Sequence, residues 1–381
     1  MLKRSKISNV CIELVAASVV TGALAVSPAH AGFNFITVDG PAPNEGGARL
    51  SGINNAGTVI GTAFDADRNE QGFIGTTPDA FTPFAVPDAS GNLPFRTILG
   101  GINDHGEAVG YAPISSGGHG NALFEFLNGN TITLLALPDD FGSSTARNIN
   151  NAGTIAGTFD DLVNRKPRGY IRDAAGNYTR FDATPTTEST SAAGISNSGT
   201  VVGNYSVLHE LTAGFERAVD GTITLLDTPT SIGGIPVSFI NYNGINASGV
   251  TVGSFLDTDD NSYGFVRDAA GNFTVVQDPA SPLLSGVFGI NDNGDLVGIS
   301  ISLATGLTHG YLATPAPGRP GDMNCDGTVN FSDINPFVTA LTSRAAFQAQ
   351  HPACAWITGD INGDGTVDFG DINSFVALLT Q

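Results

Sequence analysis

The chain has 381 residues, with 36 acidic side chains against 16 basic ones, and is long enough for one large buried core or for two to three domains. Its net charge of -20 repels nucleic acid and anionic lipid and favours cations, which excludes DNA, RNA and membrane surfaces as natural partners. Glycine is abundant, at 49 residues, and no long amphipathic helix precedes about residue 330, so the composition is that of a turn-rich β protein.

The first 31 residues read as an export signal. Lys3, Arg4 and Lys6 form a basic start, an apolar run extends from Val10 to about Val26, and Ala29-His30-Ala31 supplies the small residues that a signal peptidase reads. Cleavage is expected after Ala31, giving a secreted, extracellular or cell-surface chain without a transmembrane anchor. A retained anchor is the alternative; Glu13 argues against it by interrupting a run already short for about 30 Å of hydrocarbon. Cys11 precedes the apolar run instead of ending it, which is not a lipoprotein arrangement. Removal of the signal leaves 13 basic residues against 35 acidic ones, a net charge of about -22.

Residues 32–315 consist of six internal repeats. Gly52-Ile53-Asn54-Asn55-Ala56-Gly57-Thr58-Val59-Ile60-Gly61 recurs at Ile102, at Ile149 with Asn148 in place of the leading glycine, and at Ile195, Ile245 and Ile290. The isoleucines are spaced 49, 47, 46, 50 and 45 residues apart, a period that suits a four-stranded propeller blade and is too long for a β-helix coil. In each unit the residues up to Ile-Asn predict a first strand, and Asn-x-x-Gly a tight hairpin whose glycine takes φ > 0. The segment ending in Val-Gly predicts the second strand. A third begins at Gly72-Phe73, Ala122-Leu123-Phe124, Gly169-Tyr170, Gly214-Phe215, Gly264-Phe265 or Gly310-Tyr311, and turns such as Asp173-Ala174-Ala175-Gly176-Asn177 introduce a fourth.

Units one to five each carry a fourth strand, but the sixth runs from Gly310-Tyr311 into a proline-rich segment. Phe33 to Pro41 has the character of the missing strand and precedes the first Ile-Asn. A mainly β fold is therefore expected, a six-bladed β-propeller closed by the N-terminal strand, which covers edges otherwise open. The pattern Gly-Ile-Asn-x-x-Gly-x-x-Val-Gly, followed by a strand with a small residue and an aromatic, resembles the HAF repeats of bacterial extracellular proteins. That resemblance implies an extracellular location and a propeller-like fold. Here Gly-Phe or Gly-Tyr mostly replaces the His-Ala-Phe of the repeat's name.

No catalytic constellation emerges from the repeats, and the chain is read as not an enzyme. His105, His119, His209 and His309 fall in loops of different units without metal-ligand spacing, and no Gly-x-Ser-x-Gly elbow occurs. The loop between second and third strands is acidic in alternate units: Asp65 and Asp67, Asp160 and Asp161, then Asp257, Asp259 and Asp260. These either ring a polar ligand or a cation on one face, or are ordinary solvated turns.

Residues 316–321 read as a short, stiff linker. Beyond it, in residues 322–381, two twelve-residue loops share one pattern. The first offers Asp322, Asn324, Asp326, Thr328, Asn330 and Asp333, the second Asp360, Asn362, Asp364, Thr366, Asp368 and Asp371. Oxygen donors at positions one, three, five and twelve, a backbone carbonyl at seven and a turn glycine at six suit one Ca²⁺ per loop, two in all. Apolar residues follow each loop at helical spacing: Ile334, Phe337, Val338 and Leu341, then Ile372, Phe375, Val376 and Leu379. They predict two short helices packed face to face. Cys325 and Cys354, the two cysteines left after cleavage, form either one disulfide or a pair of buried thiols.

This duplicated half EF-hand closely resembles the type I dockerin domain, a small α-helical calcium module. The resemblance implies a cohesin-like or cell-surface scaffold protein as partner. Loop positions ten and eleven are Phe331-Ser332 and Phe369-Gly370, where cohesin-binding dockerins usually carry small hydroxylic residues, and a long insert separates the two repeats. The expected function is non-catalytic binding or assembly, with a glycan as one candidate ligand of the propeller. The alternative is an extracellular polysaccharide-degrading enzyme carrying a dockerin, which demands a carboxylate pair in the central funnel.

Overall fold

The structure is a computed structural model that describes residues 32–41, 47–64, 69–76, 80–86, 96–113, 121–127, 131–207, 213–278, 283–302, 306–315, 318–363 and 365–379. The expected signal segment, Asp65, Asp67 and Asp364 lie outside them. The protein is mainly β, with a propeller-like arrangement of antiparallel meanders and a few short helices at its C-terminal end. Four meanders are separate four-stranded sheets, beginning at Ile98–Ile102, Phe141–Ile149, Ser189–Ile195 and Phe239–Ile245. Ser231–Ile232 pairs with Ile235–Pro236 in a small separate hairpin, and an eight-stranded sheet contains the remaining meanders. In it the meander Gly47–Ile53, Thr58–Phe64, Glu70–Thr76 and Ala80–Phe84 meets the meander that starts at Leu283–Ile290, through one parallel bridge between Gly47 and Thr308.

The N-terminal strand Phe33–Val38 lies antiparallel to Thr308–Pro315, with Phe33 opposite Pro315 and Val38 opposite Gly310. The chain's first described strand thus becomes the fourth strand of its last meander. Phe35 packs edge-on against Tyr311 at 5.4 Å between ring centroids.

The repeat has a packing logic. Phe73, Phe124, Tyr170, Phe215, Phe265 and Tyr311 on the third strands are all fully buried. Each lies directly across from the second-strand glycine of its own unit: Gly61, Gly110, Gly157, Gly203, Gly253 and Gly298. A Cβ on Gly203 would fall 2.0 Å from the Ser191 carbonyl oxygen and 2.9 Å from the Phe215 ring, so the Val-Gly position excludes any side chain. The apolar clusters then join one unit to the next. Phe84 and Ile60 pack with Phe124 and Leu99, Phe181 and Ala156 with Phe215 and Ala192, and Val297 and Leu312 of the last unit with Leu50 and Phe73 of the first. Burial of the large aromatic is therefore shared across unit boundaries, and each contributes about 2 to 3 kcal/mol only when its neighbour is in place.

The C-terminal region has its own core, formed by Met323, Phe337, Ala340, Phe347, Cys354, Val367 and Phe375. Helices α1 (Ile334–Thr342) and α3 (Ile372–Leu379) meet through Phe337 and Phe375, stacked at 4.2 Å. One expectation is corrected here. The helical stripes do not face inward as a whole: Ile334 and Ile372 are each 37% exposed, Val338 51% and Val376 52%. With one core residue per turn facing inward, the other half of each stripe forms an outer ridge. At the end of the expected linker the Gly321 amide donates to the Thr358 carbonyl at 2.9 Å and the Asp322 amide to the Arg319 carbonyl at 2.9 Å, so residues 319–322 turn into the module.

The insert between the two loops forms α2 (Arg344–Gln350) and rests on the β domain. Gln348, nearly buried, donates from Nε2 to the Asn293 carbonyl at 2.7 Å, the Ala269 amide to Ala349 O at 3.1 Å, and Ser248 Oγ to Ala345 O at 3.4 Å. Asn293 and Ser248 belong to first-to-second-strand hairpins and Ala269 to a third-to-fourth-strand turn, which lie on the same face in an antiparallel meander.

Candidate functional site

The Ile-Asn hairpins converge on the axis. In the first unit Asn54 is 5% exposed. Its Oδ1 accepts from the amides of Ala56 at 3.1 Å and Thr58 at 2.9 Å, which fixes its own turn. Its Nδ2 donates to the backbone carbonyl of Asn103 in the next unit at 3.1 Å. Asn103 repeats this toward Asn150, Asn150 toward Ser196, Asn246 toward Asn291, and Asn291 back to Asn54. The hairpin glycines Gly57, Gly106, Gly153, Gly199, Gly249 and Gly294 have φ from 70° to 87°, the left-handed turn on which this geometry depends.

A second belt lies one residue on. The amides of Asn55, Asp104, Asn151, Ala247 and Asp292 donate to the side-chain oxygens of Asp104, Asn151, Asn197, Asp292 and Asn55 respectively, at 2.7 to 3.0 Å. Both belts break between the fourth and fifth units. Ser196 is too short to reach across and instead bonds Ser198 Oγ at 2.8 Å, and Ala247 offers no side-chain acceptor to Asn197.

The axial carboxylates Asp104 and Asp292 are linked by one amide, since Asn55 Nδ2 donates to Oδ2 of each at 2.9 Å. Asn151 Nδ2 adds a bond to Asp104 at 2.7 Å and Asn197 Nδ2 one to Asp292 at 3.3 Å. The space left at the axis is about 50 Å³, room for one or two waters. A carboxylate pair in the funnel is thus present, and amides from three units hold it.

The acidic loops on the opposite face are engaged within themselves. Asp161, 2% exposed, accepts from the Val163 and Asn164 amides, Asn164 Nδ2 and Arg168 Nη1. Burial alone would raise its pKa; these hydrogen bonds outweigh burial and hold it far below the ordinary carboxylate range. Asp257 is lowered in the same way, with the Asn261 and Asp259 amides, Asn261 Nδ2 and Tyr263 OH offsetting its desolvation. Asp160 is raised by burial. Asp259 and Asp260 are exposed. Among the described residues Asp161 and Asp257 therefore serve their own turns, and none of these bonds links one acidic loop to another.

In the C-terminal module the two loops share one backbone. Position four takes a left-handed conformation in both, at Cys325 (φ 57°) and Gly363 (φ 76°), as does position six at Gly327 (φ 89°) and Gly365 (φ 90°). The twelfth-position carboxylates Asp333 and Asp371 are fully buried. Each accepts two amides at one oxygen, Met323 and Asn324 for Asp333, Ile361 and Asn362 for Asp371; the other oxygen takes the amide of position nine, Asn330 or Asp368. Asp322 accepts from the Asp326 and Gly327 amides and Asp360 from those of Gly363 and Gly365. Asp326 binds Asn324 Nδ2 and Thr328 Oγ1, and Thr366 Oγ1 donates to Asp368. The Asp322 pKa is raised, first by burial and then by the Asp333 and Asp326 charges, with the Gly327 amide opposing. The donors are hard oxygens throughout, and they fit a hard divalent cation. Among the described residues no three carboxylate, histidine or cysteine side chains converge on one point, their oxygens being turned to loop amides. Cys325 and Cys354 are joined as a disulfide with Cα atoms 5.9 Å apart, tying the first loop to the insert.

Two features escaped the sequence reading. The belt asparagine was visible as the residue after each repeat isoleucine, but its reach into the next unit depends on ring geometry. A mixed-charge cavity between the second and third units unites residues from three separate turns and strands, which no spacing reveals.

No protein-family model matches the sequence, and no curated protein matches it. Among solved structures the chain is similar to a gluconolactonase from Xanthomonas campestris, at 11% identity and a TM-score of 0.45 over 74% of this chain and 90% of that one. It is similar also to a putative TolB from Agrobacterium tumefaciens, at 15% identity and 0.45 over 71% and 90%, and to a streptogramin B lyase, at 12% and 0.43 over 75% and 98%.

Proposed function

We propose that the chain is a secreted, non-catalytic binding or assembly protein. In this reading a six-bladed β-propeller presents a ligand face, and a dockerin-like module with two Ca²⁺ attaches it to a cohesin-like or cell-surface scaffold protein. Counting the eight-stranded sheet as two blades that touch at the Gly47–Thr308 bridge gives six. The observation that carries the reading is the identity of the two C-terminal loops in backbone, buried twelfth carboxylate and flanking surface. Phe331 and Phe369 are each 75% exposed, beside the paired ridges of Ile334 and Val338 and of Ile372 and Val376. Two equal apolar faces on one small module suit attachment to a protein surface.

Ca²⁺ would be held by Asp322, Asn324, Asp326, the Thr328 carbonyl and Asp333 in the first loop, and by the corresponding residues of the second. Bound there, it neutralises clustered carboxylates whose repulsion opposes loop closure. What supports a non-catalytic role is the axis, where Asp104 and Asp292 are tied by Asn55 and the remaining space is too small for a sugar ring. A glycan array probed with the full chain, alongside a hydrolysis screen on the same glycans, tests this. Binding without release of reducing ends is expected; turnover of any bound glycan would contradict it.

A further inference from the structure

At two junctions between adjacent units the third strands offer a glutamate and an arginine at matching positions. Register places Glu216 one residue after the buried Phe215, and Arg267 two residues after the buried Phe265 of the next unit. They form an ion pair at 3.2 Å that closes the interval between the fourth and fifth units. By the same register Glu125 follows Phe124, and Arg172 lies two residues after Tyr170. Here the interval is open: a cavity of about 270 Å³ separates the second unit from the third, lined by His105, Glu107, Glu125, Asn151, Arg172 and Ala174, among others. No ion pair joins Glu125 to Arg172 among the described residues.

The groups facing this cavity are unevenly satisfied. Arg172 Nη1 makes a long bond of 3.4 Å to the Asp173 carbonyl and Tyr178 is a further hydrogen-bond partner of the guanidinium, while its Nε, like Arg217 Nε in the fourth unit, is buried without a partner. Glu107 accepts from Asn103 Nδ2 at 2.6 Å, which holds its carboxylate at the hairpin. The Glu125 pKa is raised, chiefly by burial, with Arg172 lowering it and Glu107 raising it, so both carboxylates and the guanidinium share one electrostatic enclosure. The Arg172 guanidinium on one wall of the cleft favours a carboxylate, and the two glutamates that line the same cleft favour an ammonium. A simple anion would meet the glutamates, and a simple cation the arginine. One molecule carrying both charges satisfies both walls.

We infer that the cleft between the second and third units binds a small zwitterion, with its carboxylate on Arg172 and its ammonium on Glu107 and Glu125. The inference rests on neither the calcium module nor the attachment partner. Its test is calorimetric titration of the full chain with L-alanyl-L-alanine, its N-acetylated form and its C-terminal amide. Saturable binding of the free dipeptide is expected, weakened at least about tenfold by blocking either end, the loss of one charge-assisted contact. Glu125→Gln and Arg172→Gln should weaken it to a similar degree. Arg217→Gln, at the equivalent arginine of the fourth unit, should leave binding unchanged and serves as the control for general loss of stability. Absence of binding by the free dipeptide, equal binding of either blocked form, or equal loss in the Arg217→Gln protein would overturn the assignment; the blocked ligands test it on the unaltered chain.

Discussion

The side-chain amide of Asn291 donates to the backbone carbonyl of Asn54, 237 residues earlier, at 3.1 Å, and so closes the inner belt of hydrogen bonds across the junction of last and first units. Asn291 also holds its own hairpin, accepting from the Asn293 and Asp295 amides at 3.0 and 2.9 Å. Asn291→Ala leaves these buried groups without partners and should cost about 2 to 3 kcal/mol, read as a lower denaturant midpoint. The gap in the belts predicts the opposite effect elsewhere. Ser196→Asn should bridge to the fifth unit and stabilise by about 1 kcal/mol; a neutral or destabilising result would mean that the fourth and fifth units are spaced differently.

Deletion of Phe33–Val38 removes the ladder against Thr308–Pro315 and uncovers Tyr311, which Phe35 covers. With about 5 kcal/mol of burial and pairing lost, the melting temperature should fall by roughly 10 °C and the exposed edge should promote aggregation. Unchanged melting would show that the ring does not depend on this strand.

Asp161 is predicted to give a pH-dependent contribution. Its folded pKa lies below the unfolded one, so the stabilisation is present above about pH 4 and is lost as the pH falls toward the folded value. Asp161→Asn should destabilise by about 2 kcal/mol at neutral pH, because Arg168 loses a charged partner, and the difference from the parent should shrink in acid. Urea midpoints at pH 7 and pH 3 measure both.

The Cys325–Cys354 bridge spans 29 residues and contributes roughly 3 to 4 kcal/mol to the module by restricting the unfolded chain. Reduction should therefore loosen α2 first, since the insert carries both Cys354 and the Gln348 contact to Asn293. Limited proteolysis is expected to cut between residues 342 and 358 only after reduction, with Gln348→Ala increasing the rate. Cleavage there that is indifferent to reductant would separate the bridge from docking of the insert.

Much of the fold was legible because the repeat imposes it. Val-Gly beside a strand bearing an aromatic encodes a ring lying over bare backbone, and six copies make the signal hard to miss. The unpaired strand at Phe33 was legible by elimination, since Tyr311 otherwise had an open edge. The outward ridge of Val338 and Val376 was not, because helical periodicity marks an apolar face without saying how much of it a small module can cover. Nor was the docking of α2, where the contacts are a glutamine amide and backbone carbonyls that carry no sequence signature. The acidic loops illustrate a third case: Asp161 and Asp257 are composed like ligand sites, yet their carboxylates are spent on the amides of their own turns.

The most direct test of the account is calorimetric titration of Ca²⁺ into the disulfide-bonded full chain, with Asp333→Ala and Asp371→Ala beside it. Two sites are predicted, each substitution abolishing one of them, and Mg²⁺ should compete poorly because it favours a tighter octahedral shell. A chain that takes up no Ca²⁺, or that binds equally well after both substitutions, would contradict the assignment of the C-terminal module.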